Sequence, residues 1–340
     1  MANAPRAVAP GTPDFQRRRL LGAFGGAGLS ALAGGCAGTA ATPPGLVRAT
    51  AVNHLSYAVT DVARTRDFYV DLLGMKVAWD NGRMCALEFG DPAKPEGIYL
   101  VPVKAGEKPA ISHIGWSIDD FPANKEKIAA ELKRLNIPFK ADTEWGWTLE
   151  DRAGYTIHFI AETGIFPGAA EPCAVIASAK CKAAEAVGFK SLDRLRKPDG
   201  KGFKATAFSH IVLCVDDIVA TSRWYQEMFG MREFYYKPAE PNAQAMLRFG
   251  NDTLYLRNSR RPDKKPYVDH FAFEIEHYEQ DRVEAELKRR GFKPEPDSKL
   301  GWTIRDPEGM RIEIAGKGLP EYIATQCKGR ATDCPDGPRG

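Results

Sequence analysis

The stretch VNHLSYAVTDVARTRDFYVDLLGMKVAW, residues 52–79, has a counterpart in FSHIVLCVDDIVATSRWYQEMFGMREFY, residues 208–235. Aligned without a gap, His54 falls on His210, Asp61 on Asp217, Tyr69 on Tyr225 and Gly74 on Gly230. A match of this kind means that one supersecondary unit has been used twice. Each copy opens with an apolar run that carries the histidine and reads as a strand. An aspartate then caps a helix, Asp61 or Asp217, and the helix stops at LGM or FGM, where glycine takes the left-handed conformation. Three strands follow, around Val77, Cys85 and Tyr99 in the first copy and around Phe234, Leu247 and Tyr255 in the second.

The correspondence continues downstream. AELKR recurs at Ala130 and Ala285, and GWT at Gly146 and Gly301. His113 in SHIGWSI lies near His270 in DHFAFEI with a small shift, and GYTIHFI (154–160) matches GMRIEI (309–314), which places His158 on Glu313. From His113 or His270 the order strand, helix, three strands runs again. The expected fold is therefore α+β, with two domains at residues 50–165 and 205–318, each a pair of βαβββ modules. Residues 166–204, rich in Ala, Lys and Gly, read as a linker, and 319–340 as a C-terminal tail.

A chain of 340 residues has room for two such domains, and 44% hydrophobic with 27% charged residues is a soluble globular composition. The formal charge of +3, from 47 basic and 44 acidic residues, is too balanced to point to nucleic acid. The first 41 residues differ. Arg17, Arg18 and Arg19 precede a Gly- and Ala-rich apolar run that ends at Cys36, the order of an export signal. QRRRLL resembles a twin-arginine signal, so the export machinery is an expected partner and the periplasm an expected location. LAGGC also resembles a lipoprotein processing box, in which Cys36 would be lipidated and anchor the chain to a membrane. Leu32 lies one place further from the cysteine than that box prefers. In an oxidising compartment the close pairs Cys173–Cys181 and Cys327–Cys334 are expected to form disulfides. Cys85 and Cys214, inside apolar runs, read as buried thiols.

The chain has six histidines. His54, His113, His158, His210 and His270 fall on repeat-related positions, and His277 does not. In a strand alternate residues share a face, so Glu313 and His158 each stand opposite flanking apolar residues and need a partner if buried. A metal is such a partner. His210, His270 and Glu313 form a two-histidine, one-carboxylate set suited to non-haem Fe(II), with Mn(II), Co(II) and Zn(II) as alternatives. His54, His113 and His158 form a three-histidine set, either a second site or a decayed copy whose polar positions only pack.

With these ligands, FYVDLLGM and WYQEMFGM at the end of each first helix make the chain resemble the vicinal oxygen chelate superfamily, over residues 52–162 and 207–317. The resemblance implies an open, barrel-like β-cup holding a divalent metal in each domain. The tandem layout is that of type I extradiol ring-cleaving dioxygenases, with O2 and a vicinally oxygenated, aromatic small molecule as reactants. The sequence departs from those enzymes where a tyrosine is expected shortly before the final glutamate, since Thr303 stands there. Glyoxalase-type lyases and isomerases add a glutamate at the strand where Tyr99 and Tyr255 fall here. An exported protein that binds a metal or small ligand without turnover is the alternative to an enzyme. Tyr255 and His277 are the candidate acid/base groups. Trp147, Trp302, Tyr99 and Arg248 are the candidate substrate contacts.

Overall fold

The computed structural model describes residues 45–141, 146–161, 202–237 and 243–326. The export segment with Cys36, the cysteines at 173, 181, 327 and 334, and nearly all of the 166–204 linker lie outside the described residues. In the first domain β1 (Ala49–Val59), α1 (Val62–Leu73), β2 (Lys76–Asp80), β3 (Cys85–Phe89) and β4 (Glu96–Pro102) form one module. β5 (Ala110–Ile118), α2 (Phe121–Arg134), β6 (Phe139–Ala141), β7 (Gly146–Glu150) and β8 (Thr156–Ala161) form the next. The second domain repeats this with β9 (Ala205–Val215), α3 (Ile218–Phe229), β10 (Arg232–Lys237), β11 (Gln244–Phe249) and β12 (Asp252–Asn258). It continues through β13 (Tyr267–Ile275), α4 (Gln280–Arg289), β14 (Glu295–Ser298), β15 (Gly301–Arg305) and β16 (Arg311–Ala315). The expected tail begins with a further helix, α5 (Leu319–Gln326).

The helix ends form as the sequence implies. Asp61 accepts from the Arg64 amide at 2.9 Å and Asp217 from the Ala220 amide at 3.0 Å. Gly74 and Gly230 both close their helices at φ 63°, a conformation that costs a side-chain-bearing residue far more. Each sheet has eight strands in the order β2-β3-β4-β1-β5-β8-β7-β6 and its equivalent. β1 pairs β4 in parallel and β5 antiparallel, so the two modules meet at the sheet centre. The edge strands do not pair with each other, and each sheet is an open cup and not a barrel.

The domains share one core. Tyr225 and Phe229 of α3 pack on Trp116 and Phe159 of the first sheet, while Tyr69 of α1 packs on Phe273 of the second. The first helix of each domain thus covers part of the other domain's sheet. The Val47 amide donates to Met228 at the end of α3, and the Phe203 amide donates to Leu72 at the end of α1. Tyr69 donates to Asp306 at 3.0 Å and Tyr225 to Asp151 at 2.8 Å. These aspartates nucleate the matched turns at 151–154 and 306–309, where each also accepts backbone amides.

A second reciprocal pair places buried carboxylates in the seam. Asp252 accepts from the Val52 amide at 2.6 Å and Glu96 from the Phe208 amide at 2.5 Å. Burial, with a smaller push from Glu274, takes the Asp252 carboxyl up to about 7 against the opposing effects of the Val52 amide and Arg248. Glu96 is also pushed up, by burial and by Asp252. A carboxyl raised on folding contributes stability below its unfolded pKa and loses it as pH rises through the folded value. We expect Asp252 to contribute a fall of about 1 kcal/mol in the unfolding free energy between pH 6 and pH 8. Asp252→Asn keeps an acceptor for Val52 and should flatten that slope in urea unfolding at the two pH values. Equal slopes in the two proteins would contradict the assignment.

Candidate metal centres

The polar side chains that the repeat singles out meet on the concave side of each sheet. In the second domain β13 lies between β9 and β16, and Ala272 stands directly opposite both His210 and Glu313. A small residue between them lets the two ligands lean together over the sheet. His270 enters from one pleat away on β13. The first domain repeats the row, with Gly115 opposite both His54 and His158. A Cβ at Gly115 would lie 2.4 Å from the His54 ring, so glycine is what makes room for that imidazole.

In the second cup the three side chains are nearly sealed, at 2% exposure for His210, 4% for His270 and 1% for Glu313. His210 Nε2 lies 3.4 Å from His270 Nε2 and 3.3 Å from Glu313 Oε2. Two ligand atoms at tetrahedral positions around one Zn-sized ion are about 3.3 Å apart. Glu313 Oε1 is buried without a hydrogen-bond partner, an expensive state unless a cation is nearby. A Cβ at Gly301 would lie 2.0 Å from that oxygen, which explains the glycine of the second GWT segment. Burial holds His210 and His270 down at about 3, so both imidazoles are neutral and able to ligate at neutral pH. Burial likewise pushes Glu313 up to about 7. The donor set and its spacing fit one divalent ion.

Supporting groups orient the ligands. His270 Nδ1 lies 2.7 Å from Asp269, which also receives Arg311 at 2.7 Å. The His270 hydrogen bond, more than any other influence, holds Asp269 down at about 2. In the first cup His54 Nδ1 lies 2.8 Å from Asn53 Oδ1. Asp269 and Asn53 are each the extra residue of a β-bulge, at the register shifts Val268/His270 and Val52/His54. The bulge brings a residue adjacent to the ligand in sequence alongside it in space. Simple alternation would point that residue the other way, so these two supports escaped the sequence reading. The polar–His pairs inside apolar runs, NH and DH, were the available signal.

Tyr255 stacks on His210 with centroids 4.3 Å apart, and Tyr99 meets His54 edge-on at 4.6 Å. Both tyrosines therefore stand in the cups. The Tyr255 hydroxyl is buried without a partner, and burial and Glu313 keep it protonated. Tyr278, a residue not foreseen, has a second unpartnered hydroxyl, whose pKa burial and then Glu313 push up. Asp297, on β14 at the mouth, keeps solvent contact but has its carboxyl pushed up by desolvation and by Glu313.

Other expected contacts are not brought together. Trp302 pairs with Ile314, Glu313's neighbour, and so faces away from the cup; its indole N–H donates to Gln280 at 3.1 Å. Trp147 pairs with Phe159, next to His158, and is stacked on Phe139 against Phe121. Both tryptophans are helix-side core and not pocket walls. His277 lies beyond the end of β13, exposed, at φ 53°, so it is no acid/base candidate. Arg248 contacts Glu321 on α5 and the Asn251 carbonyl, not a candidate ligand. It holds α5, whose Ile323 and Ala324 cover the apolar wall of Val212, Tyr235, Met246 and Tyr255.

Beside the second cup lies a cavity of about 280 Å³ lined by Lys237, Arg257, Arg260, Arg311 and Asp269 among others; Asp269 and Arg311 touch His270, and none of the three candidate ligands lines it. A separate cleft of about 600 Å³ at the domain seam contains none of the candidate ligands. Among the described residues no helix is long and apolar enough to cross a membrane.

No curated protein matches the chain. Among solved structures, a variant of homoprotocatechuate 2,3-dioxygenase from Brevibacterium fuscum is 17% identical with a TM-score of 0.57, over 80% of this chain and 72% of that one. Catechol 2,3-dioxygenase is 16% identical with a TM-score of 0.57, over 79% and 88%. The Mn(II)-bound glyoxalase from Novosphingobium aromaticivorans is 13% identical with a TM-score of 0.57, over 80% and 83%. At these identities the likeness establishes the fold. The model of one family matches residues 51–159 and again 207–314, the two βαβββ pairs in turn, and the chain belongs to that family, the Glyoxalase/Bleomycin resistance protein/Dioxygenase superfamily.

Proposed function

We propose that the chain is a non-haem Fe(II) dioxygenase of the extradiol type, exported, whose second cup acts on an anionic, vicinally oxygenated aromatic molecule. The observation that carries this reading is the His210–His270–Glu313 cluster at single-ion spacing beside a cationic mouth. Fe(II) held there would offer its remaining coordination positions to two adjacent substrate oxygens and to O2. Ring cleavage of a catechol takes up both atoms of O2 and needs no external reductant. Among the described residues no carboxylate on β12 completes an isomerase-type set, and Tyr255 occupies that place. The dioxygenases with this fold support the reading; the Mn(II)-bound glyoxalase shows that the fold also serves another metal.

The chain's own groups have separable tasks. Arg257 and Arg311 sit where they lower His210 and His270 and favour the charged form of Glu313, which places their positive field over the ligands. They neutralise the substrate's anionic group. The Tyr255 phenol donates to a substrate oxygen over the His210 ring. The apolar wall under α5 keeps water from the ring.

Oxygen uptake by the Fe(II)-loaded chain, with catechols and aminophenols carrying or lacking a carboxylate, tests the proposal. We expect uptake to favour the carboxylated members. Arg257→Ala should raise KM for them by about 10- to 100-fold, the value of one charged hydrogen bond, and leave neutral catechols within a few-fold. No uptake with any member would sink the oxygenase reading, and an equal loss for neutral and acidic members would sink the anion-binding role.

A further inference from the structure

We infer that the first cup is a second, independent metal centre, built from three imidazoles and open to a small anion. His54, His113 and His158 offer ring nitrogens that all lie within 4.8 Å of one another. His54 Nε2 and His113 Nε2 are 3.2 Å apart, again close to the edge of a coordination tetrahedron.

The neighbouring hydrogen bonds favour one tautomer for each of these two rings. Asn53 uses its Nδ2 toward Ser117 Oγ, so the oxygen facing His54 accepts, and His54 Nδ1 bears the proton. Ser112 has one hydroxyl proton, which it donates to the Ser56 carbonyl at 3.2 Å. Its oxygen therefore accepts from His113 Nδ1 at 3.3 Å. In those tautomers each Nε2 is the unprotonated ring nitrogen, and the two atoms stand 3.2 Å apart. Two lone pairs at that distance repel, and a cation between them turns the repulsion into binding. A merely packed cluster would be expected to place an N–H on one side of this contact. Gly115 leaves the room that the His54 ring occupies, since a Cβ there would lie 2.4 Å from it.

This centre differs from the other in charge and access. Three neutral imidazoles leave a divalent ion uncompensated, whereas Glu313 cancels one charge in the second cup. His113 and His158 are half-buried at an open rim, while all three ligands of the second cup are buried. Three histidines and an exchangeable position suit Zn(II) and similar borderline ions. The excess charge selects an anionic fourth ligand, such as hydroxide or a small oxyanion.

The test is metal content per mature chain by elemental analysis, with Co(II) visible spectra on the same proteins. We expect about two ions in the unaltered chain, about one in His113→Ala, about one in Glu313→Ala, and none in the double variant. His113 is at the rim, so its loss should leave folding intact, and His158→Gln provides an independent second removal. Azide should shift the Co(II) bands of the Glu313→Ala chain. Metal content unchanged by both His113→Ala and His158→Gln overturns the second centre. Bands that ignore azide overturn its open position. Metal lost on His113→Ala but unaffected by Glu313→Ala supports this centre while removing the basis of the proposed function.

Discussion

Replacing Glu313 with alanine is expected to empty the second cup of metal and to lower oxygen consumption by about 10³-fold or more. Glu313 supplies the only negative charge among the three ligands, and without it two neutral imidazoles face a divalent ion. Glu313→Gln keeps the shape and most of the packing but not the charge, so it should lose nearly as much. Gly301→Ala addresses the same carboxylate from beneath. The Gly301 backbone is not left-handed, so the substitution acts through the Cβ that would reach within 2.0 Å of Glu313 Oε1. We expect it to weaken metal binding by about 10- to 100-fold, as changes behind a ligand do. Metal content and oxygen uptake read together separate these cases. Undiminished uptake by Glu313→Ala would remove the chemistry from this cup.

The candidate ligands were legible because the chain carries its own alignment. Two copies of each strand show which polar residues recur, and His158 on Glu313 stands out only in that comparison. The fold order followed from the same repeat with its Asp caps and Gly stops. What failed depended on register and on distant contacts. Trp302 and Trp147 sit beside Thr303 and Thr148, and only the strand pairing reveals that the threonines share the ligand face while the tryptophans do not. His277 falls past the strand end by two residues, which a continuous apolar run cannot show. α5 is short, and its place over the second cup depends on Leu319, Ile323 and Arg248–Glu321, contacts made with residues far away in the chain. The basic mouth is assembled from four separate strands or loops, so no charge run announces it.

The exchanged helices lead to the second large effect, an unequal response of the two tyrosine–aspartate clasps. Tyr225→Phe removes the hydroxyl that reaches Asp151, and Tyr69→Phe the one that reaches Asp306. The two look equivalent in the repeat. Asp306, however, also faces Tyr57 of β1, whose hydroxyl is held well above the usual range by burial first and by Asp306 next. The residue matched to Tyr57 in the second domain is Leu213, which cannot donate. After Tyr69→Phe the Tyr57 hydroxyl stands ready to serve Asp306, whereas after Tyr225→Phe the buried Asp151 loses the tyrosine hydroxyl that reaches its Oδ2 and keeps only backbone amides on Oδ1. Leaving a buried carboxylate short of a partner costs about 1–3 kcal/mol, and replacing one donor by another costs much less. We therefore expect Tyr225→Phe to destabilise by about 2 kcal/mol and Tyr69→Phe by under about 1 kcal/mol, read from urea midpoints at constant m. Tyr57→Phe combined with Tyr69→Phe should restore the full cost. The turns at Asp151 and Asp306 lead directly into β8 and β16, the strands of His158 and Glu313. Loosening of the first turn by Tyr225→Phe should therefore appear as faster metal loss from the first cup, with the second cup unchanged. Equal destabilisation by the two single variants would show that Tyr57 does not take over, and would make the clasps symmetric in energy as well as in sequence.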